Sequence, residues 1–345
     1  MSGPSLLPLP AVSIVVPARN EARSIEACVR SLLAQAHVEA EVIVVDDRSD
    51  DETPCILAQL AAEFPQLRVT SGEPLPDGWV GKPWALHQGA RVATGDWYLF
   101  TDADSVHAST GVASALSFAV AAKTDALSIV TKQELGTFWE RATVPFILAT
   151  ILFASGTLAQ LNDPQQPKHA LANGQYILIE REAYEALGGH EALRGEIVDD
   201  VTFARRIKAD GRFRLLLGGG TALARVRMYH SFAEVWEGFT KNLYVGANGN
   251  VVALAGGATL MGMLSAPPFL ALRAALRRRP YETAEALAAS AMTICAMMRG
   301  IDMVGMPRGI AFLQPLGTAI FAALVANSAW RVLSGRGVVW RGRRY

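Results

Sequence analysis

The sequence predicts an α/β body built on a mostly parallel sheet, followed by membrane helices. Three observations carry that expectation. Apolar strand-like runs alternate with helical spacings from Ala11 to Thr101, acidic residues stand directly after the second and fourth of those runs, and long uncharged stretches fill the last hundred residues.

Ala11 to Val16 reads as a buried strand, followed by Ile25, Cys28, Val29, Leu32 and Leu33 at helical spacing. Glu41 to Val45 is the second strand. Pro54 suits the first turn of the next helix, whose Ile56, Leu57, Leu60 and Phe64 share one face. Leu67 to Thr70 is the third strand. After a loop, a helix through Trp84 to Val92 leads into the strand Trp97 to Thr101, which runs straight into Asp102. Leu127 to Lys132 and Gln175 to Glu180 read as further strands, and Val201, Ala204 and Ile207 mark a helix that Gly211 closes. Ligands of such sheets bind beyond the carboxyl ends of the strands. Asp46, Asp47, Asp102 and Asp104 all fall there.

The zero net charge conceals a division. Residues 271–345 carry 11 Arg or Lys against 3 Asp or Glu, whereas residues 1–270 carry 21 against 29. Cys28, Cys55 and Cys295 form no Cys-x-x-Cys pair, which argues against a zinc knuckle or a disulfide framework and fits a reducing cytoplasm. Met1 to Pro10 has no basic start and holds three prolines. No signal peptide is expected, and the catalytic body is expected on the cytoplasmic side of the cell membrane.

Four uncharged stretches, 142–162, 242–272, 286–298 and 309–330, are candidates for burial or for lipid. A span takes about 20 apolar residues. The last three set a C-terminal membrane domain, 246–345, apart from a catalytic domain, 1–245. A single crossing at 142–162 would part Asp102 from Asp200, so that stretch is expected as an interfacial helix, or else a core helix. Three C-terminal crossings would leave Arg273 to Arg279 and the basic tail outside, against the positive-inside tendency. Making 251–272 interfacial or re-entrant at Pro267-Pro268 leaves Ala284 to Val304 and Gly309 to Trp330 as a hairpin; the anchor is thus multi-pass or a hairpin.

Asp102-Ala103-Asp104 offers two carboxylates to one cleft, a hard-oxygen pair for Mg²⁺ or Mn²⁺, although a solvated acidic turn has the same pattern. Pro17-Ala18-Arg19-Asn20-Glu21 and Asp46-Asp47-Arg48-Ser49-Asp50-Asp51 end two earlier strands. The later residues of the second cluster suit a helix cap, but Asp46 and Asp47 stand too early for that.

Ser13 to Glu21, Val44 to Asp51 and Phe100-Thr-Asp-Ala-Asp104 resemble, in order and spacing, the nucleotide-sugar half of family 2 glycosyltransferases. The resemblance implies the GT-A fold, a Rossmann-like mixed sheet. It implies that Pro17, Arg19 and Glu21 line the nucleotide pocket, that Asp47 binds the base, that Asp102 lies near ribose and metal, and that Asp104 is the principal metal ligand. The loop Asp77-Gly-Trp-Val-Gly-Lys-Pro-Trp-Ala85 looks like that of members acting on apolar lipids, including carotenoid and hopanoid-associated enzymes, and implies Lys82 as a diphosphate contact.

Glu196 to Arg206 resembles the family's acidic pair before a helix. It implies Asp200 as the base that deprotonates the acceptor, with Asp199 serving only the helix N-terminus. Asn173-Gly174-Gln175 and Gly188-Gly189-His190-Glu191 match the same subgroup and suggest acceptor-side loops; His190, lacking a partner cluster, is expected to pack. The chain departs from the family at Trp236 to Tyr244, where many membrane members have Gln-x-x-Arg-Trp. Lys241 stands in for the missing cation, His230 is a further contact to weigh, and Trp236, Phe239 and Tyr244 are expected at the lipid surface.

The ending Gly335 to Tyr345 also resembles the lipid-modifying subgroup and is expected to anchor at anionic lipid. The implied activity is an inverting transfer of one sugar from a UDP-hexose to a membrane lipid hydroxyl, assisted by a divalent metal. Its partners are the nucleotide-sugar donor, the lipid acceptor and the bilayer, with no nucleic acid. A processive polysaccharide synthase and a non-catalytic membrane scaffold are the alternatives. A dinucleotide-dependent dehydrogenase is disfavoured, because no Gly-x-Gly-x-x-Gly follows the first strand.

Overall fold

Val12, Ile14 and Val16 point to one side of the first strand and Val15 to the other, and all four are buried. A strand of that kind lies inside a sheet covered on both faces. The computed structural model describes residues 8–246, 250–334, 339–340 and 343–344. The chain divides into two compact units, one of residues 1–132 and 158–226, the other of residues 133–157 and 227–345.

In chain order the elements begin with β1 (Val12–Ala18), α1 (Ile25–Leu33), β2 (Ala40–Asp46), α2 (Thr53–Glu63) and β3 (Leu67–Ser71). Next come α3 (Gly81–Val92), β4 (Trp97–Phe100), β5 (Ser105–His107), α4 (Gly111–Ala121), β6 (Ala126–Val130) and β7 (Lys132–Gln133). After α5 (Phe138–Ser155) follow α6 (Leu158–Asn162), β8 (Ile177–Glu180), α7 (Arg181–Ala186), α8 (Asp199–Asp210), β9 (Leu215–Gly219) and β10 (Ala224–Val226). The chain ends with α9 (Phe232–Gly246), α10 (Val251–Ser265), α11 (Pro267–Leu276), α12 (Pro280–Met303), α13 (Gln314–Leu333), β11 (Val339–Trp340) and β12 (Arg343–Arg344).

The first unit is a seven-stranded sheet in the order β3-β2-β1-β4-β8-β6-β9. β1 pairs in parallel with β2 and β4, β2 with β3, and β6 with β9. β8 is antiparallel to both β4 and β6, so the sheet is mixed. This insertion matters for the site: the beginning of β8, not its end, lies at the edge where β4 and β6 finish. One face buries α1, α2 and α4 through Ile25, Leu32, Leu57, Leu60 and Leu116. The other buries α3, α7 and α8 through Leu86, Tyr184, Phe203 and Ile207.

The second unit is helical. α5 starts at a capping box, with Thr137 Oγ1 accepting from the Glu140 amide and Glu140 Oε1 accepting from the Thr137 amide. Val144 and Ile147 of α5, Val235 and Phe239 of α9, and Phe321, Leu324 and Val325 of α13 form its core. The Ser328 hydroxyl of α13 donates to the Thr240 carbonyl of α9 at 2.6 Å.

The units break the chain elsewhere than at 245, because α5 and α9 bury their apolar faces among the C-terminal helices. Phe239 is likewise a core residue and not a lipid-surface one. The four-residue spacing of Val235 and Phe239 suits either role, and α13 supplies the partner. The Tyr244 side chain lies outside the described residues, as does most of the tail from Gly335.

Among the described residues, three helices could cross a membrane by length and composition, Phe138–Ser155, Pro280–Asp302 and Arg308–Arg331, and Ala255–Ser265 with Pro267–Leu276 forms a further pair bent by 41°. For α5 the closure of the sheet argues against a crossing. β8, after α5, lies between β4 and β6, both before it, and among the described residues no second long apolar helix lies between α5 and β8 to bring the chain back. The part of the 142–162 stretch that lies in α5 packs Val144 and Ile147 into the core of the helical unit. Cys55 is exposed, and so is Gln165 beyond α5. In sealed vesicles and with Cys295, also exposed, replaced by Ser, an impermeant thiol reagent should label native Cys55 and a Cys55→Ser, Gln165→Cys variant from the same side; labelling from opposite sides would mean that α5 crosses.

Candidate active site

The edge where β1, β2 and β4 end gathers the acidic clusters of the sequence. At β4 the chain passes from Phe100 through Thr101 to Asp102, whose Oδ1 lies 2.6 Å from Nζ of Lys82 in the first turn of α3. Asp199 and Asp200 open α8. The Asp200 carboxylate is aimed by two backbone donors: the Gly174 amide gives to Oδ2 at 2.9 Å and the Val201 amide to Oδ1 at 2.8 Å. Gly174 belongs to the turn that leads into antiparallel β8, which is why it meets this edge. A Cβ there would stand 3.0 Å from Lys82 Nζ and 3.1 Å from Asp200 Oδ2. Lys82 and Asp200 therefore converge on one glycine.

Charge governs this edge. Burial alone would lower the Lys82 ammonium, but Asp102, Asp199 and Asp200 outweigh it and hold the group well above the ordinary lysine value. Asp199 is 7% exposed. Burial pushes its carboxyl up to about 6, further raised by Asp200 and Asp102 and opposed by Lys82. The Cys28 thiol beneath the edge is pushed up, first by burial and then by Asp104, Glu21 and Asp102. Those three carboxylates therefore share one electrostatic neighbourhood.

The remaining sequence-predicted residues lie as follows. Pro17, next to last in β1, lies beside Val45 of β2. Arg19 Nη1 donates to the carbonyls of Asp47 and Arg48 at 2.7 and 2.9 Å, so this guanidinium braces the loop after β2. Glu21 accepts from the Ser24 hydroxyl at 2.9 Å where α1 begins. Asp47 is buried and its amide donates to the Ala18 carbonyl, tying the two loops together. Lys241 and His230 belong to the second unit. His190 packs as expected: it is buried, its Nδ1 lies 2.8 Å from the Tyr184 hydroxyl, and burial pushes it down to about 3.

Two features escaped the sequence reading. Asp199 is buried with its carboxyl pushed up to about 6, and a charge at a helix N-terminus gave no sign that it would be buried. Behind Asp102, the Thr101 hydroxyl donates to the Gln175 carbonyl at 2.8 Å and lies 3.0 Å from His107 Nε2. A lone histidine at the end of a short strand carries no sequence signal.

The donor set suits a hard divalent cation that keeps part of its shell for the substrate. Among the described residues no group of three His, Cys, Asp or Glu side chains could hold a metal unaided. A pair such as Asp102 and Asp104 is what Mg²⁺ or Mn²⁺ uses when diphosphate oxygens and water complete the sphere. Glu21, Asp102, Asp104, Asp199 and Asp200 outnumber Lys82, so a diphosphate reaching this edge needs added positive charge.

The chain belongs to glycosyl transferase family 2, whose model matches residues 13–188, just over half of it. Two curated relatives are the 4,4'-diaponeurosporenoate glycosyltransferases of Staphylococcus aureus strains MRSA252 and USA300, each 26% identical over 97% of this chain and 88% of the relative. Among solved structures it is similar to the mannosyltransferase PcManGT from Pyrobaculum calidifontis in complex with GDP-Man and Mn²⁺ (TM-score 0.56, 20% identity, 95% of this chain and 88% of that one). The fold is GT-A, and the apolar helices indicate membrane association.

The folded state keeps the Asp199 proton to about pH 6, whereas an unfolded aspartate releases it near pH 3.9. Between those values the folded state binds more protons, so this residue's contribution to stability falls as pH rises. Asp199→Asn should remove that slope and raise stability at pH 7.5 by about 1–3 kcal/mol. Thermal melts of both proteins from pH 4 to 8 check it; parallel curves would contradict it.

Proposed function

We propose that this family 2 glycosyltransferase is inverting and moves one hexose from a UDP-type donor to a membrane lipid acceptor of carotenoid or hopanoid type at the cytoplasmic face. The observation that supports this most is the convergence of Asp102, Lys82, Gly174 and Asp200 at one sheet edge. The acceptor class rests on the names of the Staphylococcus relatives and on the apolar second unit.

In this reading Asp47, with Pro17, Arg19 and Glu21 around it, takes the nucleoside, and Lys82 leaves Asp102 in part to meet the diphosphate. Lys241 is a second candidate cation for the diphosphate. A divalent ion held by Asp102 and Asp104 supplies charge neutralisation for the leaving group when bound. Asp200 accepts the acceptor's proton while the acceptor oxygen bonds to the anomeric carbon and the carbon–oxygen bond to the diphosphate breaks. A single displacement of this kind inverts the anomeric centre. α12 and α13 form the membrane hairpin, and Pro267 marks the break in the bent α10–α11 pair.

Asp200→Asn should lower transfer to a lipid hydroxyl by a factor on the order of 10²–10⁴ while donor binding by calorimetry is kept; full transfer to a hydroxyl would remove Asp200 from the base role. One observation favours a second acceptor class. The name of the Staphylococcus relatives denotes a carboxylate, and an ionised carboxylate has no proton to give up. On such an acceptor the Asn variant should retain most of its rate. Chromatography of lipid products formed from labelled donor should show addition of one sugar, abolished by a chelator and restored by Mg²⁺ or Mn²⁺; a ladder of sizes would indicate a processive synthase.

A further inference from the structure

The turn that aims Asp200 is anchored at several points. Asn173 Nδ2 donates to the Ile129 carbonyl at 2.9 Å, Asn173 Oδ1 accepts from the Gln175 amide at 3.2 Å, and Thr131 donates to Gln175 Oε1 at 2.5 Å. The Gln175 carbonyl is held by the Thr101 hydroxyl. One hydroxyl has one proton. A carbonyl can only accept, so that proton lies on the 2.8 Å bond to Gln175, and the 3.0 Å contact with His107 requires Nε2 to donate. His107 is therefore the Nε2–H tautomer. Its Nδ1 is then an acceptor, buried with no hydrogen-bond partner among the described residues. An unpaired buried N–H there would cost more. Burial also pushes the imidazole down to about 4, so it is neutral near pH 7.

We propose that His107 is a positioning residue for Asp200: its Nε2–H orders the Thr101 hydroxyl toward the Gln175 carbonyl and so fixes the turn whose Gly174 amide aims the carboxylate. His107 also lies on β5 and Thr101 precedes Asp102, so the same bonds tie the turn to the end of β4. The transfer part of this inference rests on Asp200 acting as base; the tautomer does not.

Two measurements on the full chain test it. Nitrogen-15 spectra of histidine-labelled protein in micelles should show His107 protonated at Nε2 alone from pH 6 to 8; a proton on Nδ1 would overturn the proposal. In transfer assays with a hydroxyl acceptor, His107→Leu should lower kcat about tenfold to a hundredfold with the donor KM unchanged, the scale of a base displaced by a fraction of an ångström. His107→Gln, whose side-chain amide can donate to Thr101, should recover most of that loss. Thermal melts ensure that folded proteins are compared. A Leu variant with wild-type kcat, or a folded Gln variant no faster than Leu, would overturn the positioning role. A wild type that transfers no sugar while His107 keeps the Nε2 proton would overturn the base reading and leave the hydrogen-bond order standing.

Discussion

One ammonium among several carboxylates organises the active edge. Lys82 is drawn to Asp102 and sits in the field of Asp199 and Asp200, and without it three acidic groups from two parts of the chain would repel one another across Gly174. Such an arrangement is poised for exchange. On the proposed function, an arriving diphosphate would compete for Lys82 and a divalent cation for Asp102, so the two ligands would favour each other's binding. In their absence Lys82 and Asp102 hold each other.

The direction of β8 decides which residues meet there. Had it run parallel, Glu180 would lie at the ligand edge and the Asn173-Gly174-Gln175 turn at the opposite one. Inserted antiparallel between β4 and β6, it delivers a backbone amide to Asp200 and a carbonyl to Thr101. Strand direction is a property of pairing, which hydrophobic periodicity does not encode. The alternation of elements and the aspartates after β2 and β4 were therefore readable from residues alone, while the place of Gly174 beside Lys82 was not. Resemblance to the family singled out Asp200 and the Gly174 turn separately; only the sheet joins them.

Burial accounts for the other gaps. Asp199 and Asp200 look alike as acidic residues at a helix start, and a charge there is sufficiently explained by the helix dipole. Folding separates them: Asp200 keeps two backbone donors, while Asp199 is turned into the protein and holds its proton to about pH 6. His107 is the same lesson at a neutral site, since its meaning comes from the hydroxyl that it faces and not from its neighbours in sequence.

The helical unit obeys a different constraint. Its sequence is apolar on too many faces for a soluble bundle, with Phe269, Leu272, Leu276 and Met292 all more than half exposed, yet its core is ordered by particular contacts such as Phe239 with α13 and Ser328 with the Thr240 carbonyl. Composition identified the stretches but could not divide them between lipid and core. α5 shows why. Its apolar run meets the length requirement of a span, and what bars it from crossing is a strand far along the chain that must return to the sheet it left. For a catalytic sheet interrupted by an apolar helix, sheet closure is thus a stricter guide to topology than hydropathy, and the seven-stranded sheet, complete before α9, sets no such limit on the helices that follow.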